Sequence, residues 1–186
     1  YTLALEYQFW ITEQFSMAAG AIYSYFDQTR LGKTSSAFNP QLAVAWQLNS
    51  VWTLHASAAQ RTRFPKLREL YRRRYGNPDL DPQTANNYET GLTYHHDSGV
   101  TSDISVFRSD IDDLIERPNR RALYQNMDRV TFKGVELASG GWITDGIFAR
   151  IAYTYLEAEE KPDGGSRRQL RSRPENTAMA EFRYRF

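Results

Sequence analysis

The chain has 186 residues, with 23 Lys and Arg against 22 Asp and Glu and a formal net charge of +1. That balance excludes a global field aimed at nucleic acid or an anionic surface, and the absence of cysteine excludes a disulfide framework or a thiolate metal site. Mean hydropathy is −0.63 and no apolar run approaches the roughly 20 residues of a spanning helix, which excludes a helical anchor but not spanning strands, in which alternate residues face lipid.

The hydrophobic period is two along most of the chain, which predicts strands with one apolar and one polar face. Residues 1–10 set Tyr1, Leu3, Leu5, Tyr7 and Phe9 against Thr2, Ala4, Glu6 and Gln8. A turn at 11–13 leads into a strand over 14–27, and a loop over 28–37 into one over 38–48. Asn49-Ser50 marks a tight turn before a strand over 51–60, in which Trp52 and Leu54 oppose Thr53, His55 and Ser57. A long polar segment, 61–85, precedes a strand from about Asn86 to His95 and a turn at 96–99. The next strand, 100–111, alternates Ile104 and Val106 with Asp103 and Ser105, and Phe107 breaks its pattern. A charged loop over 112–129, a strand over 130–140, a turn over 141–146 and a strand over 147–157 follow. Another charged loop, 158–173 with Gly164-Gly165, leads to a final strand over 176–186. The expected fold is all-β, an antiparallel up-and-down meander of about nine strands that forms part of a transmembrane β-barrel.

Loop lengths support that reading. Connections are short at 11–13, 49–50, 96–99 and 141–146 and long at 28–37, 61–85, 112–129 and 158–173. Outer-membrane barrels have short periplasmic turns and long extracellular loops, whereas a soluble sandwich has no reason to place every long loop at one end. With this orientation Tyr23, Tyr25, Tyr88, Tyr153 and Tyr155 fall near the outer interface, and Tyr7, Phe9, Trp46, Trp52, Tyr94 and Tyr184 near the periplasmic one. Glu6, Gln14, Gln47, His55, Glu89, Arg150, Glu181, Arg183 and Arg185 then line the polar inner face.

The segment 61–94 carries the most local information. Pro78 and Pro82 fix φ and hold Asn77 and Asp81 extended. Gly76 is expected to serve any positive φ the corner needs, and Asn77 and Asp79 to stabilise turns. Phe64-Pro65, Leu67, Glu69-Leu70-Tyr71, the run from Gly76 to Pro82, Asn87-Tyr88-Glu89 and Gly91-Leu92 together resemble the barrel domain of TonB-dependent outer-membrane receptors. Phe107-Arg108, the run from Asp110 to Ile115, Tyr124-Gln125-Asn126, the run from Lys133 to Leu137, Tyr153-Thr154-Tyr155 and the last strand continue the resemblance in order. Gln83 stands where the family usually has an acid and reads as a surface change. The resemblance implies a plug domain before the barrel and further strands after it. Residues 1–186 are therefore expected to be one partial barrel segment, with the plug and remaining strands lying outside it. Its open edges must pair or be blunted.

Four sets of residues are candidates for chemistry. His55 is read as a lumen residue, and His95 and His96 as turn residues, since nothing accompanies them at ligand spacing. The loop cations Arg61, Arg63, Lys66, Arg68, Arg72, Arg73 and Arg74, with Tyr71 and Tyr75, could form a basic, aromatic vestibule for an anionic ligand. The ligand-binding candidates are Arg63, Lys66, Arg68, Tyr71, Arg72, Arg73, Arg74 and Tyr75; the competing reading is a solvated loop, or one that touches anionic lipopolysaccharide. Asp110, Asp112, Asp113 and Glu116 could hold calcium, but the arginines beside them favour an ion-pair set, and no metal site is assigned. The lumen face is read as a hydrated wall of cross-strand pairs, which in the family contacts the plug.

The resemblance implies TonB-dependent active uptake of a metal complex (a ferric siderophore, cobalamin or haem) across the outer membrane of a Gram-negative bacterium. It implies TonB as partner through the plug, the metal complex as ligand and outer-membrane lipid as surroundings; no cofactor is expected, and alternating membrane-length strands argue against nucleic acid as the partner of the loop arginines. The alternative is a passive porin or small structural outer-membrane barrel, which leaves the ordered motifs unexplained. An enzyme is not expected, because His55 and Ser57 share a face without a third member.

Overall fold

The computed structural model describes residues 1–28, 33–161, 168–170 and 173–186. The strands are β1 (Thr2–Trp10), β2 (Phe15–Gln28), β3 (Lys33–Gln47), β4 (Trp52–Arg63), β5 (Gln83–His95), β6 (Thr101–Glu116), β7 (Gln125–Thr144), β8 (Ile147–Lys161), β9 (Arg168–Gln169) and β10 (Asn176–Tyr184). One short helix, α1 (Leu67–Tyr71), sits between β4 and β5. The sheet runs β1-β2-β3-β4-β5-β6-β7-β8-β10, each neighbour antiparallel, and the two-residue β9 pairs with β8 beside this path. The expected nine-strand meander is therefore present, and β1 and β10 end the sheet order without pairing each other.

The strands overrun the expected boundaries at the long-loop end. β6 continues through Asp112 to Glu116 and β7 begins at Gln125, so most of the charged run expected as a loop is paired strand. β7 also runs to Thr144, which reduces the expected turn over 141–146 to two residues. The reason is cross-strand pairing. Arg108 lies opposite Lys133, Asp110 opposite Thr131 and Asp112 opposite Arg129, so the backbone ladder carries on where hydrophobic alternation stops. Gly164-Gly165 lies outside the described residues.

Register places the apolar band diagonally across the sheet. One row of cross-strand partners reads Tyr7, Ala19, Leu42, Ala58, Tyr88, Arg108, Lys133, Glu157. It is apolar over β1–β4 and charged over β6–β8. A row nearer the short turns reads Trp46, Leu54, Leu92, Ile104, Leu137, Tyr153, Ala178 and stays apolar throughout. Rows run perpendicular to strands. A level membrane crosses them obliquely only if the strands are tilted, as barrel strands are, by about 35–45°. Leu5, Leu42, Ile104, Ile151 and Phe182 are exposed, as side chains that face lipid should be.

The opposite face is polar and holds its register by fitting large side chains over glycines. A Cβ at Gly134 would lie 2.1 Å from the Tyr155 carbonyl oxygen and 2.8 Å from the Phe107 ring. Phe107 thus breaks the strand pattern because its ring covers the adjacent glycine on the inner face. His55 covers Gly91 in the same way, with ring atoms 2.5 and 2.7 Å from where a Cβ would stand. Near the short turns Arg183 lies over Phe148 at 4.1 Å and Arg185 over Trp142 at 5.5 Å.

Candidate functional site

The segment between β4 and β5 folds back onto the inner face at the long-loop end. Pro65 is buried, and the Phe64 ring stacks on Phe26 at 5.3 Å, fixing the exit from β4. One helical turn follows. The Lys66 N–H donates to Glu69 Oε2 at 2.9 Å, which satisfies a first-turn donor by the third-residue half of a capping box. The lysine side chain has no acceptor, so the reciprocal half does not form. Leu70 is 1% exposed and packs with Leu80 and Ile115, and the Tyr124 ring leans on that cluster. Leu70, Leu80 and Ile115 come from α1, the proline corner and β6, so three distant parts of the sequence share one small core.

Glu69 is the polar anchor of this core. It is 4% exposed and receives Arg63 Nη1 at 2.8 Å. Arg63 also donates to Gln83 Oε1 from Nε and Nη2, both at 3.3 Å, and the Ile115 N–H reaches the same oxygen at 3.4 Å. Gln83 is therefore half-buried and joins β4, β5 and β6, contrary to its expected place as a surface change. An amide suits this position because the Arg63 guanidinium already has a carboxylate in Glu69.

The corner is clamped by two asparagines. The Asn77 N–H donates to the Glu69 carbonyl at 2.8 Å, and its Nδ2 donates to the Tyr124 carbonyl at 3.0 Å. Its Oδ1 accepts from the Asp79 N–H at 3.0 Å, the local turn expected of it. Asn126 Nδ2 donates to the carbonyls of Asp81 and Asp113, and its Oδ1 accepts from the Asp81 N–H. The corner does not call on a positive φ at Gly76; the glycine is needed for space, because a Cβ would lie 2.6 Å from the Arg72 nitrogen and 2.7 Å from the Leu70 carbonyl oxygen.

The candidate ligand residues divide into two groups on this platform. Arg63 and Tyr75 are engaged inside it. The Arg117 guanidinium lies 3.8 Å from the Tyr75 ring centroid and 5.8 Å from that of Tyr124, and Arg72 and Arg74 approach Tyr75 at 5.8 and 5.4 Å. Lys66, Arg68, Tyr71, Arg72, Arg73 and Arg74 are exposed. Sequence reasoning missed Glu69, Gln83, Arg117 and Tyr124 as determinants of this site. The one available signal was Glu69 between Lys66 and Leu70 in a cationic run, an isolated acid with no surface reason to be there.

Three acidic residues of β6 are held by arginines. Arg108 Nε and Nη2 fork onto Asp110 at 2.8 and 2.9 Å, Arg129 Nε meets Asp112 at 2.8 Å, and Arg173 Nη2 meets Glu116 at 3.2 Å. Asp110, Asp112 and Glu116 thus sit in ion pairs, and among the described residues no group of His, Cys, Asp or Glu is arranged to hold a metal ion. His55 Nε2 stands 3.9 Å from Glu89 Oε1 on the inner face.

An open antiparallel sheet with an oblique apolar band and a polar inner face is part of the wall of an outer-membrane β-barrel. A family model described as the TonB-dependent receptor-like β-barrel matches residues 1–186. The chain belongs to that family and to the outer membrane of a Gram-negative bacterium. It is 29% identical over 171 residues to an iron-regulated outer membrane virulence protein of Vibrio cholerae, covering 79% of this chain and 26% of that protein. It is 30% identical over 151 residues to the vitamin B12 transporter BtuB of Photobacterium profundum, covering 77% of this chain and 24% of that one. The chain thus spans about a quarter of the length of the curated relatives it matches. In fold it is similar to the FrpB iron transporter of Neisseria meningitidis, with a TM-score of 0.71 and 23% identity over 100% of this chain and 30% of that one. It is also similar to the ferripyoverdine receptor of Pseudomonas aeruginosa, with a TM-score of 0.73 and 18% identity over 100% of this chain and 26% of that one.

Proposed function

We propose that this chain is the ligand-receiving part of a barrel that takes up an anionic metal complex by a TonB-dependent route. The observation that carries the reading is the platform between β4 and β5. A buried Glu69–Arg63 pair and a Leu70–Leu80–Ile115 core hold a short helix rigidly, and beyond it Arg68, Tyr71, Arg72, Arg73 and Arg74 stand exposed. Exposed arginines on a fixed base lose less freedom on binding than arginines on a free loop, and guanidinium forks match carboxylate, catecholate or phosphate oxygens. Tyr71 offers a ring face to an aromatic or planar ligand.

Ferric siderophores fit this chemistry best, since their chelating oxygens carry negative charge; cobalamin and haem are the other ligand classes for the same wall. Two further points favour a receptor over a passive porin. The family match spans every described strand, and the relatives include an iron-regulated outer membrane virulence protein and a protein named as a vitamin B12 transporter. Energy would reach the barrel from TonB through a plug domain.

The test is binding by the full-length receptor. Replacing Arg72, Arg73 and Arg74 by Gln should weaken an anionic ferric siderophore by about 10-fold or more, at about 1.5–3 kcal/mol per lost charge-assisted hydrogen bond if at least one arginine contacts it. A neutral chelate should bind unchanged. Unaltered affinity across a panel of siderophores, haem and cobalamin would overturn the assignment of this platform to ligand contact.

A further inference from the structure

The lipid-facing wall carries a feature that uptake does not use. A shallow groove of about 890 Å³ runs along the outer face of β5, β6, β7, β8 and β10. Leu92, Ile104, Leu137, Ile151 and Tyr153 form its apolar sides. Its short-turn end holds Trp52, Tyr94 and His96, with Trp52 and Tyr94 ring centroids 4.5 Å apart and the His96 ring edge-on to Tyr94 at 4.2 Å.

That end is not apolar. His96 Nε2 lies 3.1 Å from Ser102 Oγ, and Ser102 Oγ lies 2.9 Å from Ser139 Oγ. Ser102 and Ser139 are cross-strand partners in the row that continues to Ile151 and Ala180, so the cluster belongs to the membrane face. A neutral imidazole brings one N–H, and each hydroxyl brings one O–H. Two hydrogen bonds use two of those three protons. If the chain runs from His96 to Ser139, the Ser139 proton is left; if it runs the other way, the His96 Nδ1 proton is left. Either direction leaves one donor for an acceptor outside the cluster, and protonated His96 would add another. His96 is exposed at the short turn, so that donor is available to an acceptor at the membrane interface.

We propose that this groove holds one glycerophospholipid of the inner leaflet, its phosphate or ester oxygens at His96, Ser102 and Ser139 and an acyl chain along Leu92, Ile104, Leu137 and Ile151. Phosphate and ester oxygens accept hydrogen bonds and do not donate, which matches the surplus donor. The groove is continuous with the lipid-facing band, and its polar residues lie at the short-turn end, which is the periplasmic end in such barrels. Trp52 and Tyr94 supply the amphipathic rings found at headgroup level. The proposal rests on the membrane placement of the wall and not on the identity of the transported ligand.

The test is retention of phosphatidylethanolamine by the full-length receptor in mild detergent, followed by native mass spectrometry. The wild type should keep one phospholipid after bulk lipid has been exchanged away. The double variant His96→Ala, Ser102→Ala should lower the retained fraction about 5-fold or more, as expected for losing one or two hydrogen bonds. Ala178→Trp should abolish retention by filling the groove, while Leu5→Trp, on the same face but far from it, should leave retention unchanged. Heat-modifiable electrophoretic migration checks folding, and the double variant decides if Ala178→Trp does not assemble. Equal retention in the wild type and a folded groove variant, or no retained phospholipid in the wild type, would overturn the proposal.

Discussion

Removing the Glu69 carboxylate leaves the Arg63 guanidinium facing Gln83 and removes the acceptor of the Lys66 N–H. Glu69 is buried but Arg63 is about one-third exposed, at 34%, so water recovers part of the loss. Glu69→Ala should destabilise the platform by about 2–3 kcal/mol without unfolding the wall. Trypsin reports this directly: cleavage at Arg72 to Arg74 should accelerate strongly in the variant, and an unchanged rate would show that the anchor is not what holds the loop. Asp113 is the second informative residue. It has a positive φ of 57°, and partial burial, followed by the charges of Asp81, Asp112 and Asp128, pushes its carboxyl above the usual range. A carboxyl with a raised folded-state pKa binds its proton more tightly when folded, so its contribution to stability is greater at acid pH and falls as pH rises through that pKa. The side chain is still largely exposed, so the effect is small. Asp113→Asn tolerates the same backbone and removes the repulsion. The variant should slow amide exchange around this corner at about pH 7 and match the wild type at about pH 3–4, where the wild-type carboxyl is protonating. Faster exchange at neutral pH would mean the charge is stabilising.

At the scale of the element, the wall depends on which face each strand turns outward. Ile104 on β6 and Leu137 on β7 are cross-strand partners in the uniformly apolar row. Leu137→Arg should cost about 2–4 kcal/mol if the position lies near the bilayer midplane. Refolding into lipid vesicles in urea measures this, and no loss would place the row outside the membrane. Gly134 tests the inner face. Ala would bring a methyl within 2.1 Å of the Tyr155 carbonyl oxygen, which nothing but backbone movement can relieve. Gly134→Ala should reduce the yield of assembled barrel, seen as loss of heat-modifiable migration, whereas Gly99→Ala, in an open turn with φ of 81°, should cost only backbone strain. The strands and their faces were legible in the sequence because period-two alternation leaves a direct trace, as in Leu3, Leu5 and Tyr7. Their ends were not. Beyond Val106 the outward positions of β6 become Arg108, Asp110 and Asp112, whose pairing partners lie on β7 and cannot be seen locally. The platform was half legible. The Gly76 to Pro82 corner announced a rigid turn, but the Arg63–Glu69–Gln83 junction needs β4, α1 and β5 to meet, and no spacing in one sequence reports that.

For the whole molecule, the oblique course of the apolar band ties the local patterns together. The row from Tyr7 to Glu157 leaves the band between Tyr88 and Arg108, while the row from Trp46 to Ala178 stays inside it. A flat soluble sheet has no cause for such a drift; a tilted wall in a level membrane requires it. The ends of the sheet at β1 and β10 present unpaired backbone edges, which the rest of a receptor barrel would satisfy. The chain contains no cysteine, so single cysteines can be placed along β6 without a background from this segment. The most direct test of the wall is a spin-label scan from position 101 to position 112 in the full-length receptor in lipid, comparing collisions with oxygen and with a water-soluble nickel complex. Labels at positions 104 and 106 should favour oxygen, those at 103 and 105 should favour nickel, and from position 108 onward nickel should dominate on both faces. Uniform nickel access along the strand, or a period other than two, would contradict the membrane-wall account.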